Sequence, residues 1–167
     1  DIVGQAALKE LLLVSGQDTL SYDSLVFNSV REVLENFVSI TSNNLRVTVN
    51  GLFFIDELVN STQKYLSYYM SEYIPEPTGY TPDQQFDFSI EAADPDELVS
   101  VFLPQLRISQ GLKIMGSLDG AAQRLELSGN IPFIQYKNLL AKNISINSSG
   151  DLSGMNFSLH ANQFTSN

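Results

Sequence analysis

The sequence predicts a mainly β protein: an antiparallel, curved sheet of about nine strands with one long helix and one short helix. Three observations lead there. Apolar and polar residues alternate in run after run. Leu45, Val47 and Val49 take one side of a segment whose other side is Arg46, Thr48 and Asn50, which is the period of a half-buried strand. Tight turn signals separate the runs, which favours antiparallel neighbours. Ten Phe and seven Tyr suit strands, and 43% apolar residues in a chain of 167 suffice for one core.

The first strand is expected at about 5–15. AALKELLLVS alone has helical propensity. The turn Gly16-Gln17-Asp18, with the alternating Leu20 and Tyr22 behind it, makes the segment one arm of a hairpin with a strand at about 19–28. Strands at about 35–42 and 44–53 flank a turn from Thr41 to Asn44. A long helix follows at about 54–74. Ile55, Leu58, Val59, Thr62, Tyr65, Leu66, Tyr69, Met70 and Tyr73 recur at spacings of three and four. Asp56 and Glu57 favour its N-terminal dipole, and Pro75 stops it. The stretch from Glu76 to Asp83 holds Pro77, Gly79 and Pro82 and reads as a loop. Helix and loop, at about 54–84, separate two strand groups within a single β-rich segment, 1–167.

The second group opens at about 85–92, where Phe86, Phe88 and Ile90 alternate. Asp94 then suits an N-cap and Pro95 the first helical position. Glu97, three residues after Asp94, approximates a capping box. Leu98, Val99, Phe102 and Leu103 make one apolar face, so a short helix is expected at about 95–103 before Pro104. The acidic cluster is helix-start chemistry rather than a metal site. The remaining strands are expected at about 105–118, 121–129, 131–147 (with a break near Asn138) and 152–163. Their turns fall at Asp119-Gly120, Ser128-Gly129-Asn130 and Ser148 to Asp151.

Composition narrows function. Nine basic against nineteen acidic residues leave a net charge of −10, which disfavours nucleic acid or an anionic membrane surface as partner. The absence of cysteine removes thiol catalysis, disulfides and thiolate metal sites. No apolar run approaches the ~20 residues that span a bilayer. The chain begins at Asp1, which reads as a processed or excised piece of a longer protein. The single histidine, His160, falls on the polar side of an alternating strand, and no nucleophile elbow is present. Phosphate-binding glycine loops and the calcium-loop pattern are absent, so no cofactor is expected. Asp83, Asp87, Glu91, Asp94 and Glu126 leave a carboxylate pair open. Asn60, Asn143, Asn147 and Asn156 match the glycosylation sequon, which carries no such glycan in a bacterial protein.

Apolar surface is what remains. Strands with one apolar face close into a barrel, pack as two sheets, or curl into a trough. A trough would hold acyl chains, because each buried CH2 contributes roughly 0.8 kcal/mol. The candidate groove residues are Phe86, Phe88, Ile90, Leu112, Ile114, Leu125, Leu127, Phe133, Ile144, Ile146, Phe157 and Leu159. The same residues serve equally as a closed core.

The order of phrases carries a resemblance. LLLVSGQDTLSYDSLVFNSV is followed by NFVSITSNNLRVTVNGLFF, which leads into a helix ending YLSYYMSEYIP. FDFSIEAADPDELVSVFLPQLRISQGLKIMGSLDG and IPFIQYKNLLAKNISINSSGDLSGMNFSLHANQF come after. The series resembles an internal segment of the TamB-like translocation and assembly module proteins of Bacteroidetes type, within the AsmA-like superfamily. The resemblance lies in pattern over nearly the whole chain, with no catalytic signature. It implies a β-taco, or open barrel-like trough, in a long periplasmic protein anchored in the inner membrane. It also implies a non-enzymatic role in outer-membrane protein assembly or phospholipid transport. The implied partners are phospholipid acyl chains, outer-membrane protein strands and an outer-membrane barrel assembly partner. The departure is the helix at about 54–74, which would plug such a groove or act as a hinge. Two other readings are a structural or adhesive bacterial surface module with a filled core, and a carbohydrate-active enzyme or lectin. The last needs exposed aromatics beside carboxylates.

Overall fold

The computed structural model describes residues 3–15, 18–32, 35–69, 71–72, 75–78, 83–95, 105–108, 111–151 and 153–166. The expected antiparallel β architecture is present. Among the described residues ten strands run in chain order: β1 (Gly4–Ser15), β2 (Asp18–Arg31), β3 (Asn36–Thr41), β4 (Leu45–Leu52), β5 (Gln85–Ala92), β6 (Leu106–Ile108), β7 (Leu112–Asp119), β8 (Arg124–Tyr136), β9 (Leu139–Asp151) and β10 (Gly154–Ser166). They form one sheet in the order β1-β2-β3-β4-β5-β7-β8-β9-β10, with β6 also paired to β8. Among the described residues β1 and β10 do not pair, so the sheet is open rather than a closed barrel.

The helical segment lies between β4 and β5 in sequence but does not part them in space. The two strands pair directly from Leu45↔Ala92 to Leu52↔Gln85. Gly51 makes this pairing possible. Its φ is +143°, and a Cβ there would collide with the Gln85 carbonyl oxygen. β6 and β7 are one interrupted lane beside β8.

Two expected turns are corrected. Ser128-Gly129-Asn130 lies inside β8, paired with β7 on one side and β9 on the other. Glycine serves close packing here: a Cβ on Gly129 would sit 3.2 Å from the Lys113 carbonyl oxygen and 3.3 Å from Ile114 Cγ1. The β8–β9 reversal falls at Lys137 and Asn138, where the break near Asn138 was expected, and Lys137 has φ +55°. The turn expected from Ser148 to Asp151 is displaced toward Ser153, because β9 continues to Asp151. The Asp151 carboxylate accepts from the Ser153 N–H and hydroxyl, and these bonds hold its pKa below the usual value.

The long helix is shorter than expected. A 3₁₀ turn at Ile55–Glu57 leads into α1 (Leu58–Tyr69), and residues 71–72 form a turn. Gln63 Nε2 donates to the Pro75 carbonyl at 2.7 Å. An unbroken helix would separate those residues by roughly 18 Å, so the chain must fold back after α1. The short helix expected at about 95–103 falls almost wholly outside the described residues. Of its start, Pro95 is buried.

α1 packs on one end of the apolar face. Tyr65, 2% exposed, sits among Val38, Phe53, Phe86, Leu118 and Leu125. Its hydroxyl donates to the Gly120 carbonyl at 2.8 Å, tying the helix to the β7–β8 turn. Phe53 meets Phe86 edge-on at 6.0 Å. The Phe88 ring lies across Gly116, where a Cβ would come 2.5 Å from ring carbon Cζ. On the other face Lys113 Nζ meets Glu91 at 2.7 Å across a register pair.

Two outcomes are expected. Gly116→Val should lower stability by about 1–3 kcal/mol through overpacking, seen as a lower urea midpoint, and Phe88→Leu in the same chain should recover only part of it, because a Cβ at Gly116 also meets the Glu126 carbonyl oxygen at 2.6 Å. An unchanged midpoint for the single variant would refute the ring contact. The second concerns Glu91, whose pKa is held below the usual carboxylate range chiefly by its hydrogen bond to Lys113 and then by that ammonium's charge. A depressed folded pKa adds stability above the unfolded value, and this is lost as pH falls through the folded one. Lys113→Met should return the Glu91 NMR titration midpoint toward the ordinary glutamate value.

Candidate functional site

In-register antiparallel pairing places cross-strand partners on the same face. The apolar candidates therefore form rows that run across the strands. The first row is Phe86–Leu118–Leu125, under α1. The second is Val38–Val49–Phe88–Gly116–Leu127–Ser148–Phe157. A third crosses every lane: Ala6, Phe27, Ile40, Val47, Ile90, Ile114, Gly129, Ile146 and Leu159.

These rows divide the twelve candidates by environment. Phe86 and Leu125 are closed core beneath α1, and Ile144 is buried opposite Ile131. Phe88 packs against the α1 cluster. Ile90, Leu112, Ile114, Leu127, Phe133 and Ile146 are half-buried, and Leu159 is 55% exposed. Phe157 is placed by its backbone, opposite Ser148. Ile40, Val47, Ile90, Ile114 and Ile146 do not belong to the cluster that α1 covers.

The opposite face holds a feature that the sequence reading missed. A furrow of about 1020 Å³ crosses β4, β5, β7, β8, β9 and β10. One wall is Thr48, Ser89, Met115, Ser128, Asn147 and Ser158; the other is Asn50, Asp87, Ser117, Glu126, Ser149 and Asn156. Each wall is one residue per lane, in register. Six lanes lining one hollow mean that the sheet is concave toward its polar side here. Thr48 and Ser89, neighbours on the first wall, are joined through their hydroxyls at 3.2 Å. The signal was present in sequence: the polar half of each alternating run is small, hydroxylated or amidic, with few long charged side chains.

Two of the five carboxylates share the furrow. Asp87 and Glu126 both line the furrow with Ser117 between them in register. Asp83 is near Lys64 at 3.8 Å, and Glu91 pairs with Lys113. Glu126 lies 3.6 Å from Arg124. Among the described residues no three His, Cys, Asp or Glu are grouped to hold a metal ion. His160 is exposed on the polar face opposite Ser145. The furrow presents hydroxyls, amides, the Met115 thioether and the carboxylates of Asp87 and Glu126, and its one aromatic lining residue, Phe88, points to the other face. No described helix is long and apolar enough to cross a membrane.

Comparison with protein-family models, with curated proteins and with solved structures finds no match for this chain, so what it does is argued from its own two faces.

Proposed function

We propose that this chain is a non-enzymatic β module whose apolar face, beyond the reach of α1, receives acyl chains of phospholipid. In this reading it is a periplasmic segment of a larger, inner-membrane-anchored envelope protein that serves phospholipid transport or outer-membrane protein assembly. A neighbouring outer-membrane barrel assembly protein and unfolded outer-membrane strands are further partners within the reading.

One observation carries it. The third row sets apolar residues side by side across all nine lanes, and most of them lie outside the cluster under α1. Nine lanes at ~4.8 Å spacing give a stripe of roughly 38 Å. Contiguous apolar surface of that extent marks a binding face in soluble proteins. An acyl chain laid along it gains roughly 0.8 kcal/mol per buried CH2, with no hydrogen bond to replace, since the side chains of the row carry no polar atom. The α1 end supports a different role. Its core is filled to the point that Phe88 occupies the space a side chain at Gly116 would need. That packing favours the alternative reading, a structural or adhesive surface module without ligand.

The two readings separate on one preparation. Native mass spectrometry of protein purified gently from a bacterial host should show co-purifying phospholipid. Ile114→Glu and Ile146→Glu should each reduce it several-fold while circular dichroism and the urea midpoint report a folded sheet. Protein that arrives free of lipid and fails to take up a fluorescent acyl probe would refute the acyl-chain reading and leave the filled-core module.

A further inference from the structure

The furrow on the polar face has no part in the acyl-chain reading, and its lining differs from the rest of that face. The row beside one wall carries Arg46, Glu91 and Lys113. The row beside the other sets Asp119 opposite Arg124. Long charged side chains of this kind are what a water-facing surface ordinarily carries. Between these rows, the two walls hold only two charged side chains among twelve, Asp87 and Glu126. Met115 apart, the other nine bear a hydroxyl or an amide. Few of these groups are engaged. Thr48 and Ser89 hold each other, and the Ser158 hydroxyl reaches the Asn147 carbonyl at 3.5 Å. Among the described residues, the side chains of Asn50, Ser117, Ser128, Asn147, Ser149 and Asn156 make no hydrogen bond within the protein. The short side chains leave the hollow of about 1020 Å³ open, with its hydrogen-bonding groups turned into it.

We propose that the furrow binds a neutral, linear oligosaccharide laid across the strands. Hydroxyls and amides both donate and accept, so the walls match a ligand whose own groups do the same. Carboxylates only accept, so Asp87 and Glu126 call for donors, which sugar hydroxyls supply through charge-assisted bonds. The same two carboxylates, in a chain of net charge −10, repel phosphate and sulfate. The repeat of the site fits the repeat of the ligand as well. Lanes lie ~4.8 Å apart, close to the length of one linked pyranose unit, so each ring meets one residue from each wall. The six lanes span roughly 24 Å. No aromatic side chain among the described residues faces the furrow, so binding rests on many hydrogen bonds of modest net worth rather than on stacking. Affinity must then grow with the number of rings. A polycation is the competing occupant. It is disfavoured because Glu126 already has Arg124 at 3.6 Å, and because hydroxyl and amide positions outnumber carboxylates nine to two. The furrow lies on the opposite face from the acyl stripe and does not depend on what that stripe binds.

NMR titration with cello-oligosaccharides and chito-oligosaccharides, from disaccharide to hexasaccharide, tests it. At least one series should shift the side-chain amides of Asn50, Asn147 and Asn156. Its affinity should rise several-fold from the shortest member to the longest and change little with added salt. Asn147→Ala with Ser149→Ala, one residue from each wall on β9, should weaken the hexasaccharide several-fold at an unchanged urea midpoint. Ser145→Ala with His160→Ala, on the same face but outside the furrow, should leave binding intact. Ile114→Glu on the apolar face should leave it intact too, so loss of lipid and loss of glycan are separable. Failure of both series to bind overturns the proposal. So does an affinity that does not grow with length, or one lost equally with the substitutions outside the furrow. An oligolysine that binds more tightly than the hexasaccharide and is released by salt overturns it in favour of a polycation.

Discussion

The pairing of β4 with β5 is the contact on which the rest of the structure depends. It joins the sheet's N-terminal lanes to its C-terminal lanes across the whole helical excursion. Closing that excursion has an entropic cost that grows slowly with its length, and eight paired residues and the core beside them offset it. The core sits at this seam. Phe53 leaves the end of β4, Phe86 opens β5 and meets it edge-on, and Tyr65 of α1 joins them in one buried cluster. Gly51 lets the two backbones approach. Without the seam, α1 would have nothing to cover and the apolar rows would break in the middle.

Once that register is set, both faces follow from it. Period-2 alternation sends every second residue to each side, and in-phase pairing lines them up lane after lane. The same ladder that aligns Ile90, Ile114 and Ile146 on one side therefore aligns Ser89, Ser128 and Asn147 on the other. The apolar face and the polar furrow are two consequences of one register. A slip of one residue between any two lanes would interrupt both.

The strands were legible because alternation is local and needs no knowledge of neighbours. Their edges were less so. Ser128-Gly129-Asn130 looks like a turn in sequence, but the role of Gly129 is set by Ile114 and Lys113, residues in another strand. The end of α1 was overestimated because Tyr73 and Met70 continue the helical spacing, while the fold-back that brings Pro75 to Gln63 is a tertiary contact. The twelve apolar positions share one parity along their strands, and the register sets their backbones in common rows. Which of them α1 would cover depended on where the helix docks, and sequence spacing does not contain that. The furrow was overlooked because small polar residues carry no chemical motif singly; they become a feature only when six lanes align them.

The central claim is that the apolar face beyond α1 is accessible to a chain-like apolar ligand. Methyl NMR with a short-chain lysophospholipid tests it most directly. The account expects the methyls of Ile40, Ile90, Ile114 and Ile146 to shift and to show contacts to acyl protons, while those of Leu118 and Leu125 under α1 stay unchanged. Shifts confined to surface methyls of other strands, or none at all, would contradict it.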